Sequence, residues 1–154
     1  MPTGSGLKPS CVAAAKPASA SEVIGTSVQE SVWQLNKTVL VVDDNPIQLS
    51  ARQMVLNQAG FEVQIATSSE SALNLLGSLS LSEKIGAIVT DHVMPNATGS
   101  EFVRLLREVN PRVPVIVISG LPEAEKEYED MNVSFRQKPC PPPELISLVR
   151  QALG

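Results

Sequence analysis

Four residues with chemistry beyond packing, Asp43, Asp44, Asp91 and Lys138, each sit where a parallel strand is expected to end. Asp43 and Asp44 close Thr-Val-Leu-Val-Val, Asp91 closes Ala-Ile-Val-Thr, and Lys138 stands three residues beyond Phe135. If these runs are parallel strands of one open sheet, all four residues arrive at its carboxyl edge, where such sheets bind ligands. Two unit charges ~4 Å apart at an effective dielectric of ~20 repel by about 4 kcal/mol. Three gathered carboxylates therefore raise one another's pKa or recruit a cation. Oxygen donors without His or Cys suit Mg2+, which takes one or two carboxylates and keeps several waters. Positions left open on such an ion accept phosphoryl oxygens, so the set points to phosphoryl chemistry with Asp91 as candidate nucleophile. Ser119, at the end of a fourth run, adds a hydroxyl donor, and Lys138 offers a point charge to a phosphate oxygen. Pro139 fixes the backbone just beyond the lysine, with a cis bond among its options.

The elements that must position these residues alternate along the chain from Thr38 onward. Strands are predicted over 39–42, 61–65, 87–90, 113–118 and 133–136. Between them, helical spacing links Ile47, Ala51, Met54 and Val55, then Ala72, Leu75, Leu76 and Leu79, then Phe102, Leu105, Leu106 and Val109. Gly60 and Pro111 stop the first and third of these helices. A short acidic helix is predicted over 123–130 behind Pro122, and Leu145, Leu148, Val149 and Ala152 close the chain as an amphipathic helix. Five strands alternating with five helices imply an α/β fold, a five-stranded parallel sheet between two helical layers. Right-handed crossovers leave few strand orders, of which 2-1-3-4-5 is the common one.

Composition bounds the rest. A chain of 154 residues holds one domain of ordinary size, and 43% apolar with 18% charged residues is a globular composition. Net charge is −4 with no Lys/Arg run, which argues against direct nucleic-acid binding. No segment reaches the length of a membrane span. Cys11 and Cys140 lie far apart without a CxxC, which fits a reduced, cytoplasmic setting. Residues 1–36 are read as a disordered Ala/Ser/Pro-rich extension, with a short helix over 27–35 as one option, since Ser27-Val-Gln-Glu30 has the form of a capping box. Residues 37–154 form the folded domain.

Taken in order, Val-Leu-Val-Val-Asp43-Asp44-Asn45, Asp91-His-Val-Met94-Pro95 with Gly99, Ser119-Gly120 and Lys138-Pro139 resemble the motifs of the receiver domain of two-component response regulators. The resemblance covers 38–153 and implies the flavodoxin-like (βα)5 sandwich. It also implies that Asp91 accepts a phosphoryl group from a phosphohistidine of a sensor histidine kinase or histidine phosphotransfer protein. Asp44 and Asp91 would hold Mg2+ through their side chains, Asp43 mainly through water, and Val93 through its carbonyl oxygen. Ser119 and Lys138 would follow and pair with the phosphoryl group. Phe135 would stand at the aromatic switch position and turn inward with Ser119, altering the surface offered to a downstream protein target. Such a domain is a phospho-acceptor rather than an enzyme, and with no output domain in view it is expected to stand alone in a phosphorelay.

Each residue also has a plainer reading. Asp44-Asn45-Pro46 would cap a helix, Ser119 would serve a turn, Phe135 would be core, His92 a surface residue beside the site, and Cys140 a buried inert thiol. The span from Ser119 to Lys138 is short for the family and strongly acidic, as in receivers attached to hybrid histidine kinases. Val93 and Leu121, each two residues past a site residue, cannot orient a hydrolytic water, so slow self-dephosphorylation is expected. Two other functions stay open: a phosphorylation-independent interaction module on the same fold, and an aspartyl-phosphate phosphohydrolase. The latter resembles an Asp-x-Asp pattern that this chain lacks. No glycine-rich dinucleotide fingerprint is present.

Overall fold

Five β-branched runs become five parallel strands, buried most fully where helices cover both faces. In the computed structural model, which describes residues 37–154, the strands are β1 (Thr38–Val42), β2 (Glu62–Ala66), β3 (Ile85–Asp91), β4 (Val115–Ser119) and β5 (Val133–Gln137). They pair in parallel in the order 2-1-3-4-5. β1 and β4 are buried at every position, whereas the edge strand β2 is mostly exposed and β5 is half-exposed to exposed. The expectations placed on residues 1–36 lie outside the described residues.

Alternation along the strands divides the core in two. Val39, Val41, Ala87, Val89, Ile116 and Ile118 pack against Leu49 and Leu56 of α1 (Pro46–Gln58) and Leu145, Leu148 and Val149 of α5 (Pro142–Leu153). Leu40, Val42, Ile88, Val115 and Val117 face the other way, toward α2 (Ser69–Leu76) and α4 (Gly99–Val109). Tyr128, the last residue of a 3-10 helix (Pro122–Tyr128), joins that second core. A further short helix, α3 (Leu79–Lys84), precedes β3.

Several predicted helix faces are rotated. In α1, Ile47 is 79% and Met54 58% exposed, and the buried pair is Leu49 and Leu56. Arg52 lies between them and turns inward to a carboxylate, so the true stripe contains a charge that an apolar pattern passes over. In α4 the buried apolar side chains are Phe102, Val103 and Leu106, while Leu105 and Val109 face out. The helix expected to reach Leu79 stops at Leu76, capped at Gly77 by backbone bonds to Leu73 and Asn74. The predicted acidic helix over 123–130 is 3-10 in type and has no side-chain cap. Such i→i+3 structure is intrinsically marginal. Its exit is clamped instead: the Arg107 guanidinium donates to the carbonyls of Met131 (3.0 Å), Asn132 (3.1 Å), Val113 (2.7 Å) and Asn110 (3.3 Å).

Candidate functional site

Strand register brings the acids together. Val42 pairs with Thr90, and Asp91 pairs with Ile118, so Asp43, Asp91 and Ser119 follow on three adjacent strands. Ser119 in turn pairs with Gln137, and the Lys138 N–H donates to the Ser119 carbonyl at 2.8 Å. One carboxylate oxygen each of Asp43, Asp44 and Asp91 lies within 4.8 Å of the other two. Asp43 and Asp91 are buried and Asp44 is exposed. An all-oxygen set of this size, closed below and open toward Asp44, fits a hard divalent cation.

Each member has a distinct environment. Asp43 is wholly buried: Oδ1 accepts the Asn45 N–H at 2.9 Å, and Oδ2 meets the Arg52 guanidinium at 2.9 Å. Burial pushes its carboxyl above the usual range and Asp91 adds to this, while the Asn45 bond, Arg52 and Lys138 oppose it. Asp91 Oδ1 accepts from the His92 N–H at 3.0 Å and lies 3.3 Å from Lys138 Nζ, which also donates to Gln48 Oε1 at 3.2 Å. Asp91 Oδ2 takes no hydrogen bond from the described residues. The capping role weighed for Asp44 belongs to Asn45, whose side chain accepts from the N–H groups of Ile47 and Gln48. Ser119 is buried and its hydroxyl oxygen accepts the Leu121 N–H at 3.0 Å. Val93 is 56% exposed at the mouth. The Lys138–Pro139 bond is cis. Cys140 is half-buried rather than buried, and burial together with Glu144 pushes its thiol up, away from thiolate reactivity.

His92 departs from its expected surface position. It points away from Asp91, as strand alternation requires, but that direction leads into the second core, where it is only 4% exposed. Its Nδ1 is 2.6 Å from the Tyr128 hydroxyl and its Nε2 3.6 Å from Glu127 Oε2. Tyr128 stands edge-on to the His92 ring, with centroids 5.6 Å apart, and leans on half-buried Phe135 at 5.9 Å. Sequence reasoning missed Arg52 and Tyr128. The one available signal was a lone tyrosine inside an otherwise acidic segment.

Burial, with Glu127 and Asp91 adding to it, pushes the Tyr128 phenol far up. The folded protein then keeps a proton that the unfolded chain releases near pH 10. Stability is therefore intact below that pH and falls above it by about 1.4 kcal/mol per pH unit. Because Tyr128 is the sole tyrosine, tyrosinate absorbance should appear together with loss of helical circular dichroism. Ionisation near pH 10 with the fold intact would contradict this.

The profile of the family described as "Response regulator receiver domain" matches residues 39–150. The hydrogenase transcriptional regulatory protein HoxA of Cupriavidus necator is 36% identical over 120 residues, covering 75% of this chain and 24% of that protein. The response regulator protein TmoT of Ectopseudomonas mendocina is 30% identical over 128 residues, covering 81% of this chain and 54% of that protein. The chain thus spans about a quarter to a half of these relatives' length. Among solved structures, a response regulator receiver protein from Sinorhizobium medicae superposes with a TM-score of 0.68 at 28% identity, over 76% of this chain and 94% of that one. One from Pseudomonas putida gives 0.69 at 27%, over 75% and 97%. Among the described residues no helix is long and apolar enough to cross a membrane.

Proposed function

The chain belongs to the response regulator receiver domain family of two-component systems, and from that premise we propose that Asp91 takes a phosphoryl group and thereby changes how the domain contacts a protein partner. That partner is either a separate chain or another segment of the same polypeptide. The carrying observation is the convergence of three carboxylates within 4.8 Å, with Lys138 Nζ 3.3 Å from Asp91, at the carboxyl edge of the sheet.

The donor is the phosphohistidine of a sensor histidine kinase or of a histidine phosphotransfer protein. An Asp91 carboxylate oxygen attacks phosphorus, the P–N bond breaks, and the imidazole leaves with the electron pair while a P–O bond forms. Oδ2 is the better-placed oxygen, since Oδ1 already accepts from the His92 N–H. Asp44 and Asp91 would hold Mg2+ through their side chains and Val93 through its carbonyl. Asp43 would act through water, because Arg52 and Asn45 occupy its oxygens. Bound Mg2+ supplies neutralisation of charge on the phosphoryl oxygens. Lys138 exchanges its Asp91 contact for a phosphoryl oxygen, with Gln48 holding the ammonium in place. Ser119 gives up its bond from the Leu121 N–H as its hydroxyl turns to the phosphoryl group, and Phe135 repacks.

Incubation with acetyl phosphate and Mg2+ should add one phosphoryl group to the wild type and none to Asp91→Ala, read by intact mass. A gain that survives in Asp91→Ala sinks the site assignment. No gain in either chain favours an interaction module that works without phosphorylation. Val93 and Leu121 are 56% and 43% exposed and apolar, so neither orders an attacking water. The phosphorylated chain should therefore decay over minutes or longer, and a lifetime of seconds would contradict that account.

A further inference from the structure

The side-chain hydrogen bonds and ion pair of the 3-10 helix Pro122–Tyr128 all run to one place, the segment that follows Asp91. Tyr128 Oη meets His92 Nδ1 at 2.6 Å, and Glu127 Oε1 accepts the Ser100 hydroxyl at 2.7 Å, with Glu127 Oε2 3.6 Å from His92 Nε2. Among the described residues these are the only side-chain hydrogen bonds and ion pairs made by residues 122–128, beside the packing of the Tyr128 ring on Phe135. The same segment is tied to the acid: the His92 N–H donates to Asp91 Oδ1 at 3.0 Å, and the Gly99 N–H donates to the His92 carbonyl at 2.7 Å. We infer that His92 and Tyr128 form a latch that transmits the state of Asp91 to the 3-10 helix, and that phosphorylation loosens it. This rests on Asp91 being the phospho-acceptor and goes beyond it, since neither residue takes part in the transfer.

The physical course is short. While Asp91 is a carboxylate, its bond from the His92 N–H is charge-assisted. Once phosphorylated, the remaining acyl oxygen is neutral, and such a bond is about half as strong. The His92 backbone is then free to shift, and its ring moves with it. His92 and Tyr128 are 4% and 3% exposed in a close-packed core, where a displacement passes to the neighbour rather than into a void. Tyr128 receives it and stands between His92 and Phe135 at 5.6 and 5.9 Å. Movement of Phe135 on one side and of His92 on the other therefore reaches the same ring. A marginal 3-10 turn without a side-chain cap is the element with two arrangements that such coupling requires. His92 is a positioning residue in this scheme, and linkage makes the effect reciprocal: weakening the latch alters how readily Asp91 is modified.

The sole tyrosine allows a direct reading. The full chain labelled with 3-fluorotyrosine gives one fluorine resonance, followed by NMR with and without acetyl phosphate and Mg2+. Intact mass is read in parallel. On phosphorylation the wild-type resonance should move and hydrogen exchange over residues 122–128 should accelerate. At matched phosphoryl occupancy the response should vanish in His92→Phe, which keeps a ring but no polar atom, and return in His92→Asn, whose amide stands near the place of Nδ1. A phosphorylated wild type with an unmoved resonance overturns the latch alone, whether or not any variant folds. An equal response in His92→Phe also overturns it. No mass gain in the wild type overturns the reading of Asp91 and the latch with it.

Discussion

Replacing Arg52 by Met lowers the free energy of unfolding by about 3–5 kcal/mol, the usual result of removing one partner of a buried ion pair. Asp43 is wholly buried and the Arg52 side chain is only 12% exposed, so the carboxylate left behind loses its guanidinium partner inside the fold. The Asn45 N–H remains, at 2.9 Å, but it is a neutral donor. Burial already holds the Asp43 carboxyl above its ordinary value with Arg52 in place, and without Arg52 it rises further. In the window between the unfolded and folded values, the folded variant carries a proton that the unfolded chain has released. The loss is therefore full above that window and fades as pH falls through it. Urea unfolding of wild type and Arg52→Met at neutral and acidic pH measures both the size and the trend. Adding Asp43→Asn to Arg52→Met should recover most of the loss, because no buried charge is left unpaired. A loss below about 1 kcal/mol in the single variant at neutral pH would show that Asp43 does not depend on Arg52.

Gly99→Ala comes second in size, at about 1–3 kcal/mol, the range for forcing atoms into a packed interior. A Cβ on Gly99 would stand 2.5 Å from the Tyr128 hydroxyl, 2.7 Å from the Asp91 carbonyl oxygen and 3.0 Å from His92 Cα. Two of those neighbours are backbone at the end of β3 and cannot move without carrying the acid site along. The Tyr128 hydroxyl is the one that can give, and moving it breaks the 2.6 Å contact with His92. Gly99→Ala should therefore lower the urea midpoint and, by loosening the His92–Tyr128 contact, raise the extent to which acetyl phosphate modifies Asp91. Gly120→Ala, where nothing lies within 4 Å of an added Cβ, is the matched control and should change neither. Equal behaviour of the two variants would refute the close approach at Gly99.

How much of this was legible in the sequence depends on what each residue rests against. The strands and the convergence of Asp43, Asp91, Ser119 and Lys138 could be read because β-branched runs and their ends are local signals, and parallel pairing at a switch point needs little more. The helix faces were harder. Leu49 and Leu56 flank an inward-turned Arg52, and an apolar tally favours Ile47 and Met54, which face water. His92 shows the same limit: alternation gave its direction correctly, but not that Tyr128 and Glu127 wait on that side to bury and bond it. Tyr128 arrives from 36 residues downstream, and no periodicity within an acidic segment announces a partner at that distance.

The Arg107 clamp gives the 3-10 helix a fixed end. Four carbonyls drawn from the loops before β4 and β5 meet one guanidinium, so Met131 and Asn132 cannot travel. At the opposite end the Ser119 hydroxyl oxygen accepts the Leu121 N–H at 3.0 Å, the bond proposed above to open when Ser119 turns to a phosphoryl group. The segment is thus tied at both ends, by the Arg107 clamp and the His92–Tyr128 contact at one and by the Ser119 hydroxyl at the other. Seven residues at ~2 Å rise make a segment about 14 Å long. If Asp91 is phosphorylated as proposed and the His92–Tyr128 contact loosens, any turn about the Arg107 clamp would carry Leu121 and Pro122, at the far end, furthest.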